Sequence, residues 1–313
     1  MAESSNSFVQ NIEVDRENMK CVFVLGPTAS GKSAWAVEQA QKYNGSVVNI
    51  DSVQFYEGLI VGAAAPTEEE KQRAPHYLYS YVQAPQEMTA GGYITDFYKM
   101  FEEQKPKFPL FITGGTGFYI QALEKGMFDV VPVPEHVREA LEAELKAQGA
   151  EVLHAELIKH DPDSKIHMND HYRLVRALEI IRHTGKKPSD LLAREQNKNA
   201  LPFDSIKIGF DFEKPEFENR VRLRTEKMVS GGLIDETKYF LENGFENWAP
   251  LSSVGYKECV QWLKTTPNPT IEELKAAVHQ STMQLIKKQK TWFKRDTTIL
   301  WSNHDHELAR FLL

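Results

Sequence analysis

A strand, a phosphate-binding loop and a helix are predicted in succession between Cys21 and Ala40, where the sequence reads CVFVLGPTASGKSAWAVEQA. The loop matches G-x-x-x-x-G-K-[ST], a pattern in which two glycines permit a tight turn and close backbone approach to an anion. The backbone N–H groups and the start of the helix then face that anion, and the lysine adds a positive charge. The serine that follows can offer its hydroxyl to Mg²⁺. The predicted di- or triphosphate site comprises Gly26, Pro27, Thr28, Ala29, Ser30, Gly31, Lys32 and Ser33.

The order of strand-like and helix-like segments predicts an α/β fold, a P-loop NTPase-like parallel sheet core flanked by helices with an all-helical insertion. The apolar runs KCVFVLG, GSVVNIDS and KFPLFITGG suit strands buried on both faces. SIKIGFDF is expected to rejoin the sheet, and TILWSN to form an edge strand. We therefore expect a flexible arm over residues 1–20, a catalytic core over 21–123 and 201–313, and a helical insertion over 124–200.

The composition favours a cytoplasmic protein. The two cysteines, Cys21 and Cys259, form no CxxC pair, which argues against a zinc module or a disulfide framework. The N-terminus is polar and acidic, unlike a signal sequence, and no apolar stretch approaches the roughly 20 residues of a membrane span. The net charge of −7 argues weakly against a nucleic-acid partner. The basic segments KKQKTWFKR and NRVRLRTEK can nevertheless hold a polyanion.

The acidic residues near the predicted loop leave its ligand open. A P-loop ATPase usually carries a second acid at the end of a neighbouring strand. KFPLFITGG ends without one, whereas SVVNIDS ends in Asp51. That carboxylate can serve a metal ion or accept a proton from an incoming nucleophile. The loop predicts phosphate binding, but it does not by itself predict ATP cleavage.

Further motifs follow the loop in a fixed order: DSVQFYEGLIVGAAAPT, GGTGFYIQAL, SVGYKE and KKQKTWFKR. Together they resemble the tRNA dimethylallyltransferase (tRNA isopentenyltransferase) family. Its members carry GPTASGK[ST], DSxQxYxGxxIGTAKP, GGTGLYxxAL, VGY[KR] and a KRQxTWFR-like segment. The resemblance runs from about residue 21 to 296, nearly the whole chain. The lack of a C-terminal CxxC module resembles bacterial members.

The resemblance implies a reaction. The family transfers the dimethylallyl group of dimethylallyl diphosphate to N6 of adenosine 37, in tRNAs that read codons beginning with U. The loop would then hold a diphosphate leaving group, neutralised by Lys32, the loop amides and Mg²⁺. The hydroxyl of Thr28 would touch the bridging or α-phosphate oxygen, and Asp51 would take the proton of the amine. Arg138 matches an arginine that family members place near the reaction centre.

The resemblance also implies contacts with tRNA. Asp51, Ser52, Val53 and Gln54 would line the base pocket, with the Gln54 amide reading an adenine edge. The glycines of GGTGFY would let the backbone approach the ligand, and Thr116 would contact the tRNA or the diphosphate. RNA loops are recognised through splayed bases and phosphates, which basic and aromatic side chains suit. The further predicted tRNA contacts are Tyr172, Arg173, Arg176, Ser253, Gly255, Tyr256, Lys257, Lys287, Lys288, Gln289, Trp292 and Lys294.

Four departures from the family pattern keep other functions open. Ala63 and Ala65 replace a threonine and a lysine, and Met283 and Lys288 stand where arginines are usual. The alternatives are a nucleotide or small-molecule kinase, an adenylate isopentenyltransferase and a non-catalytic RNA-binding protein. The helical insertion and the basic C-terminal helix favour a large RNA acceptor over a mononucleotide. The expected partners are the tRNA anticodon stem-loop and dimethylallyl diphosphate, with no membrane, and the expected state is a monomer.

Overall fold

Six parallel strands form one sheet in the computed structural model, in the order β3-β2-β4-β1-β5-β6. The structure describes residues 19–126, 133–190, 201–265, 267, 269–301 and 304–312. The predicted parallel α/β fold is confirmed, because SIKIGFDF rejoins the sheet as β5 and TILWSN supplies β6 at its edge. The strands are β1 (Lys20–Leu25), β2 (Ser46–Asn49), β3 (His76–Tyr77), β4 (Leu110–Gly114), β5 (Asp204–Gly209) and β6 (Ile299–Leu300).

The chain folds as two compact units, Met1–Gln121 with Pro202–Leu313, and Ala122–Leu201. The sheet belongs to the first unit, while the helices between residues 135 and 184 belong to the second. Among the described residues, none of the helices combines the length and apolar character needed to cross a membrane. The helices are α1 (Lys32–Lys42), α2 (Glu68–Arg73), α3 (Ala90–Gln104), α4 (Gly117–Lys125), α5 (Glu135–Gln148), α6 (Ala150–His160), α7 (His171–Thr184), α8 (Lys214–Ser230), α9 (Leu233–Glu242), α10 (Tyr256–Lys264), α11 (Ile271–Phe293) and α12 (His304–Leu312).

The central strands are apolar because helices cover both faces of the sheet. Cys21 to Leu25 of β1 and all of β2 and β4 are buried. Val37 of α1 packs in one core cluster with Val22 and Phe111. Continuous apolar runs, rather than alternating ones, are what such two-sided burial requires. Both cysteines are free and buried.

The helical unit has a core of its own. Apolar side chains at helical spacing on α5, α6 and α7 bury Leu141, Leu157 and Leu178. The side chain of Asp170 caps α7 by accepting the N–H of Arg173, and Gly185 ends that helix in the left-handed conformation. An amphipathic stripe on each helix thus accounts for this packing.

The carboxyl ends of β1, β4 and β2 meet at one edge of the sheet. Leu25 is paired with Gly114 in the β1–β4 ladder, and Asn49 with Thr113 in the β2–β4 ladder. Ligands in open parallel sheets bind at this edge, where the loops that follow the strands come together. The phosphate loop follows β1, and Asp51 follows β2 at the same edge.

Candidate active site

The loop after β1 has the conformation of an anion cradle. Gly26, Ala29 and Gly31 all have positive φ angles, of 152°, 65° and 86°. A Cβ at Gly26 would lie 2.6 Å from the carbonyl oxygen of Phe210, so only glycine fits there. Gly31 is the N-cap of α1 and provides no side-chain cap, which leaves the first N–H groups of the helix for a ligand.

Lys32 lies at the base of this cradle and is only 8% exposed. Its Nζ is 3.4 Å from the carbonyl oxygen of Pro27. Burial lowers the pKa of Lys32 from 10.5 to about 8, the Asp51 carboxylate opposes that change, and Arg224 adds to it. A buried ammonium favours a bound anion, because the anion replaces the solvation that burial removes. The lysine is therefore placed to receive phosphate oxygens.

Two serines of the loop differ in their surroundings. The hydroxyl of Ser30 is buried and, within the part of the chain that the structure describes, has no hydrogen-bond partner. Ser33 is exposed on the first turn of α1. Among the described residues, no group of three or more His, Cys, Asp or Glu side chains is arranged so that it could hold a metal ion. Mg²⁺ at phosphate sites usually takes one or two protein ligands beside phosphate oxygens, so Ser33 fits a metal that binds together with a diphosphate.

Asp51 follows β2 and is partly buried. Its Oδ1 accepts the N–H of Val53 at 3.0 Å, and its own N–H donates to Oδ1 of Asn49 at 2.8 Å. These two bonds hold the carboxylate in a fixed turn after the strand. Burial lowers the pKa of the Arg224 guanidinium, and the negative charge of Asp51 opposes that change. Lys32, Asp51 and Arg224 thus share one electrostatic environment.

Each glycine of the GGTG motif faces another part of the protein. A Cβ at Gly114 would lie 2.7 Å from the carbonyl carbon of Ile50, and one at Gly115 would lie 2.4 Å from Nε2 of Gln289. A Cβ at Gly117 would lie 2.2 Å from the ring of Trp292. These glycines admit the end of β2 and the helix α11. The predicted close approach of their backbone to a ligand stays a prediction.

Thr116 and Gln289 tie the loops together. Oγ1 of Thr116 accepts the N–H of Ser52 and is 3.2 Å from the hydroxyl of that serine. Oε1 of Gln289 accepts the N–H of Thr28 at 2.9 Å, while its Nε2 donates to the carbonyl oxygen of Gly115 at 3.1 Å. The prediction assigned Gln289 to tRNA, but its amide is engaged with the phosphate loop.

Comparison with known proteins identifies the family. The IPP transferase family model matches residues 54–296. Over 284 residues, the chain is 45% identical to the tRNA dimethylallyltransferase of Bdellovibrio bacteriovorus, covering 90% of this chain and 92% of the relative. The chain belongs to the IPP transferase family. The family predicted from the motifs is confirmed, and so is the class of enzyme, a prenyltransferase.

Solved structures of the IPP transferase family share the fold. The full-length tRNA isopentenylpyrophosphate transferase of Bacillus halodurans is 29% identical with a TM-score of 0.63, over 94% of both chains. A eukaryotic dimethylallyltransferase acting on tRNA is 28% identical with a TM-score of 0.73, over 88% of this chain and 69% of its own. The similarity therefore extends over the sheet and beyond the phosphate loop.

The segment after Asp51 departs from the IPP transferase pattern at Ala63 and Ala65. Side chains from other positions in the protein bind its backbone N–H and carbonyl groups. Glu236, which the sequence analysis missed, accepts the N–H groups of residues 60, 61 and 62 at 2.9, 2.8 and 3.1 Å. Nε2 of Gln54 donates to the carbonyl oxygens of Ala63 and Ala64 at 3.0 and 2.8 Å. The Gln54 amide, predicted to read an adenine edge, donates its N–H groups to this loop.

The VGYK segment, which was predicted to contact tRNA, is largely internal. Tyr256 is 0% exposed; its hydroxyl donates to Glu236 and accepts the N–H of Ala63 at 3.1 Å. The hydroxyl of Ser253 donates to the carbonyl oxygen of Pro250, and Gly255 is the N-cap residue of α10. Tyr256 is a buried support of the 60–63 loop, and only Lys257 of this segment is exposed.

The basic end of α11 has an outer face and an inner face. Lys294 is exposed, whereas Lys290 forms an ion pair with Asp211 at 2.8 Å. Met283, where the family has an arginine, packs against the apolar contact between α8 and α11. The outer face contains a cleft of about 530 Å³, which is lined by Gln284, Lys287, Lys288, Thr291, Trp292 and Arg295. Lys287, Lys288 and Trp292 therefore lie where RNA can reach them, and their contact with tRNA stays a prediction.

The helical unit contains the remaining predicted residues. Arg138 forms ion pairs with Glu142 at 3.0 Å and with the buried Glu179 at 3.9 Å. Its guanidinium also lies 5.9 Å from the ring centroid of Tyr172. Arg176 pairs with Glu179, and the exposed Arg173 pairs with Asp170 at 3.5 Å. α5 and α7 thus carry three arginines, each paired with an acid of the same unit, beside the exposed ring of Tyr172. The role of Arg138 at the reaction centre stays a prediction.

Two arginines of α8 belong to the site although the sequence analysis singled out neither. Arg224 is close enough to Asp51 and Lys32 to influence the pKa of Lys32. Nη1 of Arg220 is 3.6 Å from the position that a Cβ would take at Gly31. The two arginines are four residues apart in the basic segment NRVRLRTEK, so they lie on one helical face. That spacing was the available signal.

Proposed function

We propose that the protein transfers the dimethylallyl group of dimethylallyl diphosphate to N6 of adenosine 37 in tRNAs that read codons beginning with U. The observation that carries the proposal is the pairing of a cationic phosphate loop with one carboxylate, Asp51, at the same sheet edge. β4, which lies between β1 and β2, ends in Thr113 and Gly114 without an acid. This arrangement suits departure of a diphosphate better than hydrolysis of ATP, which usually employs an acid at such a strand end.

The proposed chemistry is a single displacement. The lone pair of N6 attacks the diphosphate-bearing carbon, a C–N bond forms, and the C–O bond to diphosphate breaks. The proton of the amine passes to the Asp51 carboxylate, and the electron pair of the broken bond leaves with the diphosphate. An exocyclic adenine amine is a weak nucleophile, because its lone pair is delocalised, so a fixed carboxylate that accepts its proton assists the attack.

The cations near the phosphate loop would stabilise the negative charge of the departing diphosphate. Lys32, Arg220 and Arg224 surround the start of α1, and the N-terminal N–H groups of that helix add their dipole. Mg²⁺, if bound with the substrate beside Ser33, would supply further charge neutralisation at the diphosphate oxygens. Charge that develops on a leaving group is stabilised most by such preorganised donors.

The acceptor in this proposal is the anticodon stem-loop of tRNA. The relatives are named tRNA dimethylallyltransferases, and the basic cleft of α11 and the Arg138–Tyr172 face are suited to phosphates and unstacked bases. The target base must leave its stack, which costs less in a loop than in a duplex. We further propose that the protein acts in the cytoplasm as a monomer.

The test is a transfer assay with matched variants. Unmodified tRNA is incubated with labelled dimethylallyl diphosphate, and mass spectrometry of the nucleosides locates the product, which we expect at adenosine 37. Asp51→Asn should lower the single-turnover rate by about 10²–10⁴-fold, with tRNA affinity retained. Glu69→Gln changes an exposed carboxylate on α2 and should leave the rate unchanged. An unchanged rate in Asp51→Asn would refute the role of the carboxylate.

Two additional reactions in the same assay address the alternatives. ATP with a small-molecule acceptor tests for kinase activity, and AMP with dimethylallyl diphosphate tests for an adenylate isopentenyltransferase. We expect neither a phosphorylated product nor prenylated AMP at a rate comparable to transfer onto tRNA. Binding of tRNA with no transfer at all would instead support a non-catalytic RNA-binding protein.

A further inference from the structure

A short path of hydrogen bonds joins the phosphate loop to the segment that carries Asp51. The N–H of Thr28 donates to Oε1 of Gln289, and Nε2 of Gln289 donates to the carbonyl oxygen of Gly115. The next residue, Thr116, accepts the N–H of Ser52, which adjoins Asp51. These contacts lie beyond the last paired residues of the β1–β4 and β2–β4 ladders, so they order loops that the sheet itself does not hold.

The helix that carries Gln289 is well anchored. Phe293, one turn later, is fully buried. The ring of Trp292 lies where a side chain at Gly117 would otherwise be, and Lys290 binds Asp211 and the carbonyl oxygen of Phe212. Gln289 is thus presented from a fixed helix, and its two amide atoms are directed at two different loops.

We propose that Gln289 is a positioning residue that sets the distance between the leaving-group loop and the proposed base Asp51. The inference rests on the proposed function, in which the phosphate loop holds the diphosphate. Displacement requires the attacking nitrogen and the electrophilic carbon to be held about 3–3.5 Å apart and in line. One reactant is held by the loop of Thr28 and the other by the segment of Asp51. Gln289 bonds the first directly and reaches the second through Gly115 and Thr116, so it controls that geometry without touching either reactant.

The role predicts a specific kinetic result. Gln289→Met preserves length and removes both hydrogen bonds, and it should lower the single-turnover rate on tRNA by about 10²-fold, the typical effect of a misplacement near 1 Å. The dissociation constants for inorganic pyrophosphate and for tRNA should stay within about threefold of wild type, since neither ligand depends on this amide. Gln280→Met, an exposed residue of the same helix, should match wild type.

Two further variants test the same contact while leaving part or all of Gln289 in place. Gln289→Glu keeps an acceptor for the Thr28 N–H but places a carboxylate oxygen against the carbonyl oxygen of Gly115 and a negative charge beside the proposed diphosphate loop, so its rate should be no higher than that of Gln289→Met. Gly115→Ala would place a Cβ 2.4 Å from Nε2 of Gln289 and should displace the amide. Because Gly115→Ala and Gln289→Met disrupt the same link between the loops, their combination should be no slower than the slower single variant.

The outcomes are distinct. Wild-type transfer is measured first, and its absence overturns the proposed function together with this role. Normal wild-type transfer, with Gln289→Met and Gly115→Ala both within threefold of the wild-type rate, overturns the role of Gln289 alone. A loss of rate that is matched by equal losses of pyrophosphate and tRNA affinity also overturns it. So does a double variant whose loss of rate is the product of the two single losses, since either result indicates a general structural effect.

Discussion

Replacing Lys32 by methionine should stabilise the free protein while it removes diphosphate binding. Burial lowers the pKa of Lys32 from 10.5 to about 8, and the side chain is only 8% exposed. At about 1.4 kcal/mol for each pH unit, this change corresponds to about 3 kcal/mol of unfavourable free energy for the protonated side chain. Methionine has a similar length and no charge, so Lys32→Met should raise the free energy of unfolding at pH 7 by up to about 3 kcal/mol.

The effect has a defined pH dependence. Below pH 8 the amine of Lys32 is protonated in both states, and the full cost of burying its charge is present. Between pH 8 and 10.5 the folded protein loses that proton before the unfolded chain does, so the wild type gains stability relative to the variant as pH rises. The difference should therefore be greatest at or below pH 7 and should shrink towards pH 10.5.

Urea denaturation at pH 7 and pH 9.5 measures this difference, with Lys99→Met, an exposed lysine of α3, as the control. Pyrophosphate with Mg²⁺ at 100 times its dissociation constant should stabilise the wild type by about 2.7 kcal/mol and should leave Lys32→Met unaffected. A variant that is less stable than wild type at pH 7 without pyrophosphate would refute the reasoning. So would a stability difference that is the same at both pH values.

Two other substitutions test supporting contacts. Both carboxylate oxygens of Glu236 accept backbone N–H groups of residues 60–62, and Glu236→Gln replaces one of these oxygens with an NH₂ donor. The variant should lower the free energy of unfolding by about 1–3 kcal/mol and accelerate hydrogen exchange at those amides. Burial raises the pKa of Asp296, but the ammonium of Lys207, at 2.6 Å, and the hydrogen bonds with Thr298 lower it by more, so the net pKa lies below its ordinary value. Asp296→Asn should therefore destabilise the protein by about 3–5 kcal/mol at pH 7, as measured by urea midpoints, and by less below pH 3.8, where the carboxylate of the unfolded chain is protonated.

The fold was largely predictable because its decisive signals are local. A buried strand, a glycine-rich turn and a helix occupy adjacent positions in the phosphate loop, and the apolar runs of β1, β2 and β4 need no long-range information. The strand β3 (His76–Tyr77) was missed, because two half-buried residues carry no periodicity. The helix α2 was missed too, although Thr67 and Glu70 form a capping box that marks its start.

The polar site residues were harder to assign, because their partners are far away in the sequence. Gln289 is 261 positions from Thr28, and Tyr256 is 193 positions from Ala63. Residue type alone does not tell whether a glutamine or tyrosine faces RNA or a backbone group of its own chain. Glu236 had no signal of its own, since a single acid on an amphipathic helix is usually solvated.

The departures at Ala63 and Ala65 remove side chains, but they do not remove the supports of the loop that carries them. Glu236, Tyr256 and Gln54 hold that loop through its backbone N–H and carbonyl groups, which every residue type provides. A hydroxyl and an ammonium are lost, while the geometry of the segment next to Asp51 is retained. In the proposed function, the positive charge that a diphosphate needs would come from Lys32 and from the two arginines of α8, a helix far from the phosphate loop in the sequence. The substituted loop is therefore compatible with an active prenyltransferase whose cations are concentrated at the start of α1.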